Sequence, residues 1–383
     1  MEFHMHKAIA ALRAQLLLLF PERQPVIDGS LAAVLAGEHV LLLGPPGTAK
    51  SALVRVLAQA FGGTYFERLL TKFSTPEELF GPVSLKGLEA DRFTRVTAGM
   101  LPEAEFAFVD EVFKANSAIL NALLSVVNER IFHNDGKPMP VPLVSMFGAS
   151  NELPEGKELE ALFDRFALRF QVDYLLRPQN LKNILGAAEP KLSGSLDMKT
   201  LRAAQAEVAK VKVSDATVDA LIAIRDACRT EGIIASDRRW KKSLRLVQAA
   251  AWMAGEKQTT PEDLTLLVDA LWREPKERSK VAKLVGRLAD PVATQAVEIL
   301  DAARETADKV AGLRSGDRKA YIAQAAQALE AFTQQVSKLE KLAKSAGRRA
   351  KDTIDAATAD ITEMHAELAR AVSSGLGLRR VEK

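Results

Sequence analysis

The sequence predicts an α/β protein: a parallel β-sheet with helices on both faces, followed by a region that is entirely helical. Continuous apolar runs, such as HVLLLG at residues 39–44, are typical of buried parallel strands. These runs alternate with amphipathic helical segments, which indicates βαβ units. The strand signal ends after DYLLRP at residues 173–178, and only helical periodicity follows in the 383-residue chain.

The first half of the chain supplies the predicted sheet. We expect, in chain order, helices over 7–20 and 30–36, a strand over 39–44, a helix over 51–62, a strand over 106–111, a helix over 117–130 and a strand over 143–151. Further helical stretches then reach about residue 275, where Thr260 and Pro261 carry a helix start signal. The predicted domains are an α/β core over 1–178, an all-α domain over 179–275 and a helical C-terminal region over 276–383.

The C-terminal region carries two apolar stripes at heptad spacing. The first comprises Ile322, Ala325, Leu329, Phe332, Val336, Leu339 and Ala343, and the second comprises Ile354, Ala357, Ile361, Met364, Leu368 and Ala371. Because only the short break SAGRR separates them, we predict an antiparallel helical hairpin. The stripes either bind a partner or pack on the protein's own body, and the sequence leaves both open.

Composition sets broad limits on function. Hydrophobic residues make up 48% and charged residues 26% of the chain, as in ordinary soluble globular proteins. The net charge of +3 gives no argument for nucleic acid or a membrane as the main partner. The single cysteine, Cys228, excludes an internal disulfide framework and fits a reducing cytoplasm. No apolar run approaches the roughly 20 residues of a membrane span, so we expect a cytoplasmic protein.

Residues 44–51, GPPGTAKS, follow the first predicted strand and resemble the phosphate-binding pattern G-x-x-x-x-G-K-[ST], with Ala49 in place of the second glycine. Such a loop holds phosphates with backbone N–H groups at a helix start. We place Ala49 in the first turn of the following helix, where alanine is favourable, and expect it to be tolerated. The predicted nucleotide-binding residues here are Pro46, Gly47, Thr48, Ala49, Lys50, Ser51 and Ala52.

Two carboxylates, Asp110 and Glu111, end the strand FAFVDE. An acid at the carboxyl end of a central parallel strand lies beside the phosphate loop. We expect Asp110 to hold Mg²⁺ through water while Ser51 gives a direct oxygen, and Glu111 to polarise the attacking water. Asn151, at the end of the next strand, has the donor and acceptor groups to orient water near a γ-phosphate. The alternative, that either acid caps a turn, does not explain both beside a phosphate loop.

Together these motifs resemble those of the AAA+ ATPases. The segments GPPGTAKS, LFGPVS, DEVFKANSAILNALLSVVNER and ASNELP resemble the MoxR family, and the match is closest to its RavA-like branch. The resemblance covers about residues 7–275 and implies a hexameric ring that binds ATP or ADP, with Mg²⁺, between subunits. It also implies a chaperone-like motor that remodels a client protein complex, commonly with a von Willebrand factor A domain partner.

The resemblance assigns roles to single residues. Lys50 matches the Walker A lysine, Asp110 and Glu111 match the Walker B pair, and Asn151 matches sensor 1. Arg165 matches the arginine finger, with Arg169 in reserve, and Arg238 matches sensor 2, with Arg239 beside it. The resemblance also implies an adenine pocket near Val26 and Ile27. For either finger candidate, a salt bridge within the chain is the alternative. The all-α domain over 179–275 becomes the lid.

Two segments are longer than simple connections need. The family places a hairpin-like insertion at residues 81–106, and IFHNDGKPMPVP at 131–142 matches a second hairpin. Both could face a pore and touch substrate, or only brace neighbouring subunits. After residue 275 the chain departs from RavA-like proteins, which carry a β-rich module there.

Two other classes of function stay open beside a protein-remodelling motor. One is a nucleic-acid-associated AAA+ subunit of the restriction or loader type, which the modest charge disfavours. The other is a slow nucleotide-switched scaffold, against which the intact Glu111 and Arg165 count.

Overall fold

The computed structural model of the protein describes residues 2–186, 192, 194–313 and 318–375. It contains two compact units, one of residues 1–219 with 225–281 and one of residues 220–224 with 282–383. Residues 376–383, which the predicted C-terminal region includes, lie outside the described residues.

The first unit is built around a five-stranded sheet. The strands of the chain are β1 His39–Leu43, β2 Tyr65–Leu69, β3 Phe106–Asp110, β4 Ile131–Asn134, β5 Lys137–Pro140, β6 Ser145–Ser150 and β7 Phe166–Gln171. The sheet has the order β2-β3-β6-β1-β7, and every neighbouring pair is parallel. The predicted strands β1, β3 and β6 are confirmed as its centre, whereas β2 and β7 were not predicted.

Helices make up most of the rest of the chain. They are α1 Glu2–Leu19, α2 Gln24–Ala36, α3 Lys50–Ala60, α4 Glu77–Phe80, α5 Leu85–Leu88, α6 Ser117–Glu129, α7 Lys157–Phe163, α8 Pro178–Leu185, α9 Met198–Val208, α10 Asp215–Thr230, α11 Asp237–Met253, α12 Val268–Leu271, α13 Arg278–Ala289, α14 Pro291–Gly312, α15 Arg318–Ala343 and α16 Arg348–Gly375. α2 starts earlier than predicted because Pro25 lies in its first turn, where proline is well accommodated. Of the sheet-facing helices, α2 lies against β1 and β7, and α3 against β2 and β3.

The two inserted segments form one connected surface feature. β4 and β5 pair antiparallel, which confirms the hairpin predicted at 131–142. An antiparallel bridge between Val83 and Arg95 closes the other insertion. The backbone N–H of Arg95 donates to Asn134 Oδ1 at 2.7 Å, and that of Phe93 to Asp135 Oδ1 at 2.9 Å. The insertion over 81–106 is therefore fastened to the turn of the hairpin.

Two buried arginines join the helical part of the first unit to β7. Arg239, in α11, donates to the carbonyl oxygens of Phe166 at 3.0 Å and Ala270 at 2.8 Å. Arg169, in β7 itself, donates to the carbonyl oxygen of Trp272. Burial lowers the pKa of both guanidinium groups. Because each carbonyl replaces a lost water, these bonds offset much of the cost of burying the charge.

The second unit is a bundle in which three long helices pack on each other. α15 and α16, joined by the short connection 344–347, form the predicted hairpin, and their apolar stripes face inward. α14 packs against both of them, so the hairpin is completed by a helix that the sequence did not predict in that position. The buried residues of this core include Ala296, Ala303, Val310, Ala325, Phe332, Leu339, Ile354 and Ile361.

His39 begins β1 and is completely buried. Its Nδ1 accepts a hydrogen bond from the Met146 N–H at 2.8 Å, and its Nε2 lies 2.9 Å from the Val127 carbonyl oxygen. Nδ1 therefore carries no proton, and the ring is neutral. Burial, followed by the charges of Arg130 and Lys242, lowers the pKa of His39 well below its ordinary value of 6.5.

We predict that acid destabilises the fold through His39. Below about pH 6.5 the unfolded chain binds a proton at this residue that the folded chain does not, so the free energy of unfolding falls as pH falls. The slope approaches about 1.4 kcal/mol per pH unit for this site. Urea unfolding between about pH 7.5 and 5.5 measures it, with His39→Gln as the control that loses this part of the slope. An imidazole NMR titration in which His39 protonates near its ordinary pKa would contradict the prediction.

Candidate nucleotide site

The GPPGTAKS loop leaves the carboxyl end of β1, and α3 begins within it at Lys50. Gly44 has a φ of +150°, and a Cβ built there would lie 2.2 Å from the carbonyl oxygen of Val172. Gly47 has a φ of +77°, which side chains other than glycine adopt at a cost. The loop therefore passes so close to the end of β7 that Gly44 cannot be replaced without moving one of them.

Ala49 is not part of the helix. Its φ of 64° and ψ of 24° are left-handed, and it precedes α3 as the capping residue. The prediction that Ala49 lies in the first helical turn is therefore wrong. A left-handed conformation costs a residue with a Cβ about 1–2 kcal/mol, so the loop holds a strained residue where other phosphate loops have glycine.

The start of α3 presents backbone donors and a cation together. The first hydrogen bond of the helix runs from the Leu53 N–H to the Ala49 carbonyl oxygen at 3.0 Å, so the preceding N–H groups point away from the helix. Lys50 Nζ donates to the carbonyl oxygens of Gly44 and Pro45, both at 2.8 Å. Burial lowers the pKa of Lys50, while the carboxylates of Asp110 and Glu111 raise it. An anion at this helix start would meet both N–H groups and an ammonium group.

Asp110 and Glu111 lie at the same end of the sheet, where β3 ends. The Glu111 N–H donates to Asp110 Oδ1 at 3.0 Å. Glu111 has a left-handed φ of 50°, and its buried Oε2 has no hydrogen-bond partner among the residues that the structure describes. Lys114 Nζ is 3.5 Å from that oxygen, close enough for an ion pair but without hydrogen-bond geometry. A strained backbone that carries an unsatisfied carboxylate oxygen marks a site prepared for a further donor, such as water.

β6 lies between β1 and β3, so Asn151, which follows it directly, stands between the loop and the acidic pair. Its side chain is exposed. The neighbouring Ser150 lines a cavity of about 530 Å³ together with Glu111. The parallel sheet thus brings Lys50, Glu111 and Asn151 to one end of three adjacent strands.

The donors fit Mg²⁺ when a nucleotide is present. Ser51 lies in the first turn of α3 and Asp110 ends β3, so a hydroxyl and a carboxylate stand at the same end of the sheet. Within the described residues, no group of three or more His, Cys, Asp or Glu side chains could hold a metal ion alone. Mg²⁺ usually takes most of its oxygen ligands from phosphates and water, so this sparse set suits it.

The predicted adenine pocket is closed in this structure. Val26 and Ile27, both in α2, are buried. Val26 lines a space of only about 10 Å³ beside Ala49 and Lys50, which is room for about one water. A purine base could enter there only if α2 or the loop moved, and the adenine pocket stays a prediction.

Arg165 lies at the opposite end of the sheet from the phosphate loop. It directly precedes β7, and the first residue of β7 pairs with His39 at the start of β1. The loop follows the last residue of β1, and five strand residues span roughly 16 Å. Arg165 and the loop of the same chain therefore lie at the two ends of β1, beyond the reach of one side chain.

Arg165 is joined there by Arg238 from the first turn of α11. Asp164 Oδ2 is 3.9 Å from the Nη1 atoms of both arginines. The Nε of Arg165 is buried and has no hydrogen-bond partner in the described part of the chain, whereas the side chain of Arg238 is 45% exposed. Burial lowers the pKa of Arg165, Arg238 lowers it further, and Asp164 raises it. Arg239 pairs with the same carboxylate at 3.2 Å, so three cations surround one anion and this end of the sheet carries excess positive charge.

The neighbouring arginines are occupied within the fold. Arg169 is 1% exposed and Arg239 is 3% exposed, and both bind carbonyl oxygens of the chain. They could not reach a second molecule without unfolding the junction that they hold. Asp164 was not predicted as a functional residue, although it stands next to Arg165 in the segment LFDRF. Its contacts with α11 join residues far apart in the sequence, so no local pattern indicates them.

Comparison with known proteins identifies the family. Residues 6–213 match the family described as the MoxR domain in the MoxR-vWA-beta-propeller ternary systems. The chain belongs to the MoxR family. Residues 216–285 match an AAA lid domain, which agrees with the predicted AAA+ core and lid. The predicted family is thereby confirmed, while the RavA-like branch stays a prediction.

Several relatives span most of this MoxR chain. Two proteins of Methanocaldococcus jannaschii, both named as uncharacterized, are 44% and 42% identical over 304 and 296 residues, which cover 78% and 77% of this chain and 81% and 77% of theirs. Chaperone MoxR1 of Mycobacterium tuberculosis is 26% identical over 293 residues, 71% of this chain and 75% of its own. The crystal structure of a candidate ATPase from Cytophaga hutchinsonii has a TM-score of 0.62 at 19% identity and covers 75% of this chain and 94% of that one. That last likeness shows the shared fold.

In the part of this MoxR chain that the structure describes, no helix combines the length and apolar character needed to cross a membrane.

We predict that Ala49→Gly stabilises the protein and keeps nucleotide binding. Glycine relieves the left-handed backbone, so the free energy of unfolding should rise by about 1 kcal/mol. Urea unfolding measures this, and ADP affinity should stay within about threefold. The matched control is Ala52→Gly, inside α3, which should lose about 1 kcal/mol. An unfolding midpoint for Ala49→Gly at or below that of the parent would show that the backbone is not strained.

Proposed function

We propose that this MoxR-family protein hydrolyses ATP at an interface between two copies of the chain and uses the turnover to remodel a protein complex. One observation carries this proposal. The phosphate loop and Glu111 lie at the carboxyl end of the sheet, and Arg165 and Arg238 lie at its amino end. A single chain thus holds two halves of a site that cannot meet within it. A neighbouring copy would bring the arginines of one chain to the loop of the next.

Each side chain then has a defined task. The N–H groups at the start of α3 and the Lys50 ammonium bind the β- and γ-phosphates. Mg²⁺, held through Ser51 and Asp110, would supply positive charge to the phosphate oxygens. Glu111 accepts a proton from, or orients, the attacking water, and Asn151 positions that water. Arg165 and Arg238 of the neighbouring copy stabilise the negative charge that develops on the γ-phosphate.

Membership of the MoxR family also supports proposals for the assembly, the partner and the client. The two half-sites are different surfaces, so copies would associate head to tail, and we propose that they close into the hexameric ring that the family resemblance implies. The family description names a vWA component, and the Mycobacterium tuberculosis relative is named a chaperone. A von Willebrand factor A domain protein is therefore the proposed partner, and a protein complex in the cytoplasm the proposed client.

We predict that Glu111→Gln abolishes turnover but not binding. The amide has the size of the carboxylate but cannot take a proton, so kcat should fall at least about 100-fold. Phosphate release measures kcat, and a fluorescent nucleotide measures affinity, which should stay within a few-fold. The control is Glu129→Gln, at the far end of α6. Unchanged turnover in Glu111→Gln would remove Glu111 from the mechanism.

We predict that Arg165 acts on a neighbouring copy. Arg165→Ala should lower kcat about 1,000-fold, and Lys50→Ala should lower it by removing phosphate binding. Mixed assemblies of these two inactive variants contain some interfaces with an intact loop and an intact finger, so activity should reappear on mixing. Arg225→Ala, at an exposed surface arginine, is the control. Normal hydrolysis by an assembled Arg165→Ala protein, or no recovery on mixing, would contradict a site shared between copies.

A further inference from the structure

Asp164 lies 3.9 Å from both arginines of the proposed shared site and also contacts the lid helix that carries one of them. It caps the end of α7, directly before Arg165. From α11, Ser236 Oγ donates to its carboxylate at 3.2 Å, and Arg239 Nη2 donates to its Oδ1 at 3.2 Å. This carboxylate is therefore one of the points at which core and lid meet.

These bonds fix the orientation of the carboxylate. Arg239 donates to Oδ1, Ser236 Oγ lies 3.2 Å from both oxygens, and Oδ2 is also 3.9 Å from Arg165 and from Arg238. A separation of 3.9 Å is too long for a hydrogen bond. The carboxylate thus draws the two guanidinium groups together without using up their N–H donors.

The donors that remain suit a phosphate. Within the described residues, the buried Nε of Arg165 has no hydrogen-bond partner. Arg238 is nearly half exposed, so its fork of donors reaches the surface. A phosphoryl group has several oxygens that accept such charge-assisted bonds, and two guanidinium groups held side by side would match them. Besides burial, the charge of Arg238 lowers the pKa of Arg165, so the two cations would repel each other if no carboxylate lay beside them.

We propose that Asp164 is a positioning residue for ATP hydrolysis: it holds Arg165 of the core and Arg238 of the lid as one cluster that grips the γ-phosphate bound to a neighbouring copy. This inference rests on the proposed function. It has a mechanical consequence. When the cluster closes on phosphate, the pull acts on α7 and α11 together, so the lid of one subunit responds to the nucleotide of the next.

The substitution Asp164→Asn tests this role. Asparagine keeps an oxygen for Ser236 or Arg239 but removes the charge that restrains the two arginines. We expect kcat to fall about 10- to 100-fold, while KM and ADP affinity at the chain's own loop stay within about twofold. Asp164→Glu keeps the charge and should recover part of the loss. The matched control is Glu160→Gln on the same helix, whose carboxylate lies 3.8 Å from Arg273; it should leave kcat unchanged.

A double-mutant cycle separates positioning from general support of the fold. If Asp164 acts through Arg238, Asp164→Asn should cost much less in an Arg238→Ala background than alone. An equal fold-loss in both backgrounds, or a loss explained by a lower unfolding midpoint and not recovered by Asp164→Glu, would overturn the positioning role.

The two proposals fail differently. If Arg165→Ala abolishes turnover while Asp164→Asn hydrolyses ATP like the parent, the shared site stands and the role of Asp164 is wrong. If assembled Arg165→Ala hydrolyses ATP normally, the shared site itself is wrong.

Discussion

All five strands of the sheet run in one direction, and this gives its two ends different chemistry. At the carboxyl end, strand exits and the start of α3 collect backbone N–H groups, the lysine and the acids. At the amino end, the entries to β1 and β7 collect arginines and the carboxylate of Asp164. In an antiparallel sheet, strands begin and end at both edges, so both sets of residues could occur at the same edge. Because this sheet is parallel, one chain carries the proposed phosphate-binding residues at one end and the paired arginines at the other.

The arrangement also depends on how the lid is attached. The buried guanidinium groups of Arg239 and Arg169 bind backbone carbonyl oxygens, and Arg239 also pairs with Asp164. Removing either arginine would leave several carbonyl groups without donors in a dry environment, which is costly. α11 is therefore held in one position relative to β7, and Arg238 in its first turn is delivered to the same place as Arg165. The chemistry at the amino end relies on this structural pair beneath it.

The sequence revealed the parts of the fold whose cause is local. β1, β3 and β6 are continuous apolar runs because they are buried on both faces, and the phosphate loop and acidic pair follow them at fixed spacing. β7 was missed because it carries Arg169, whose partner Trp272 is 103 positions away. β2 was missed because it is an edge strand with charged residues. α14 contributes the small residues Ala296 and Ala303, which form part of a core only because α15 and α16 pack against them. Each omission follows from a long-range contact that no window of sequence contains.

Helix and strand propensities did not predict which residues have a strained backbone. Alanine is the best helix former, which argued for placing Ala49 inside α3, yet the chain must reverse its direction between strand and helix at that residue. Glu111 takes the same left-handed conformation at the end of β3, although nothing in FAFVDE requires it. Both residues sit at the carboxyl end of the sheet, where the phosphate loop and the proposed general base must aim their groups at one point. A relaxed backbone would carry the Glu111 carboxylate onward along the strand, and the left-handed turn instead stops it beside the loop. The strained backbone of Ala49 and Glu111 therefore sets the direction in which the loop N–H groups and the Glu111 carboxylate point. The packed sheet beneath these two residues stabilises the strained conformation.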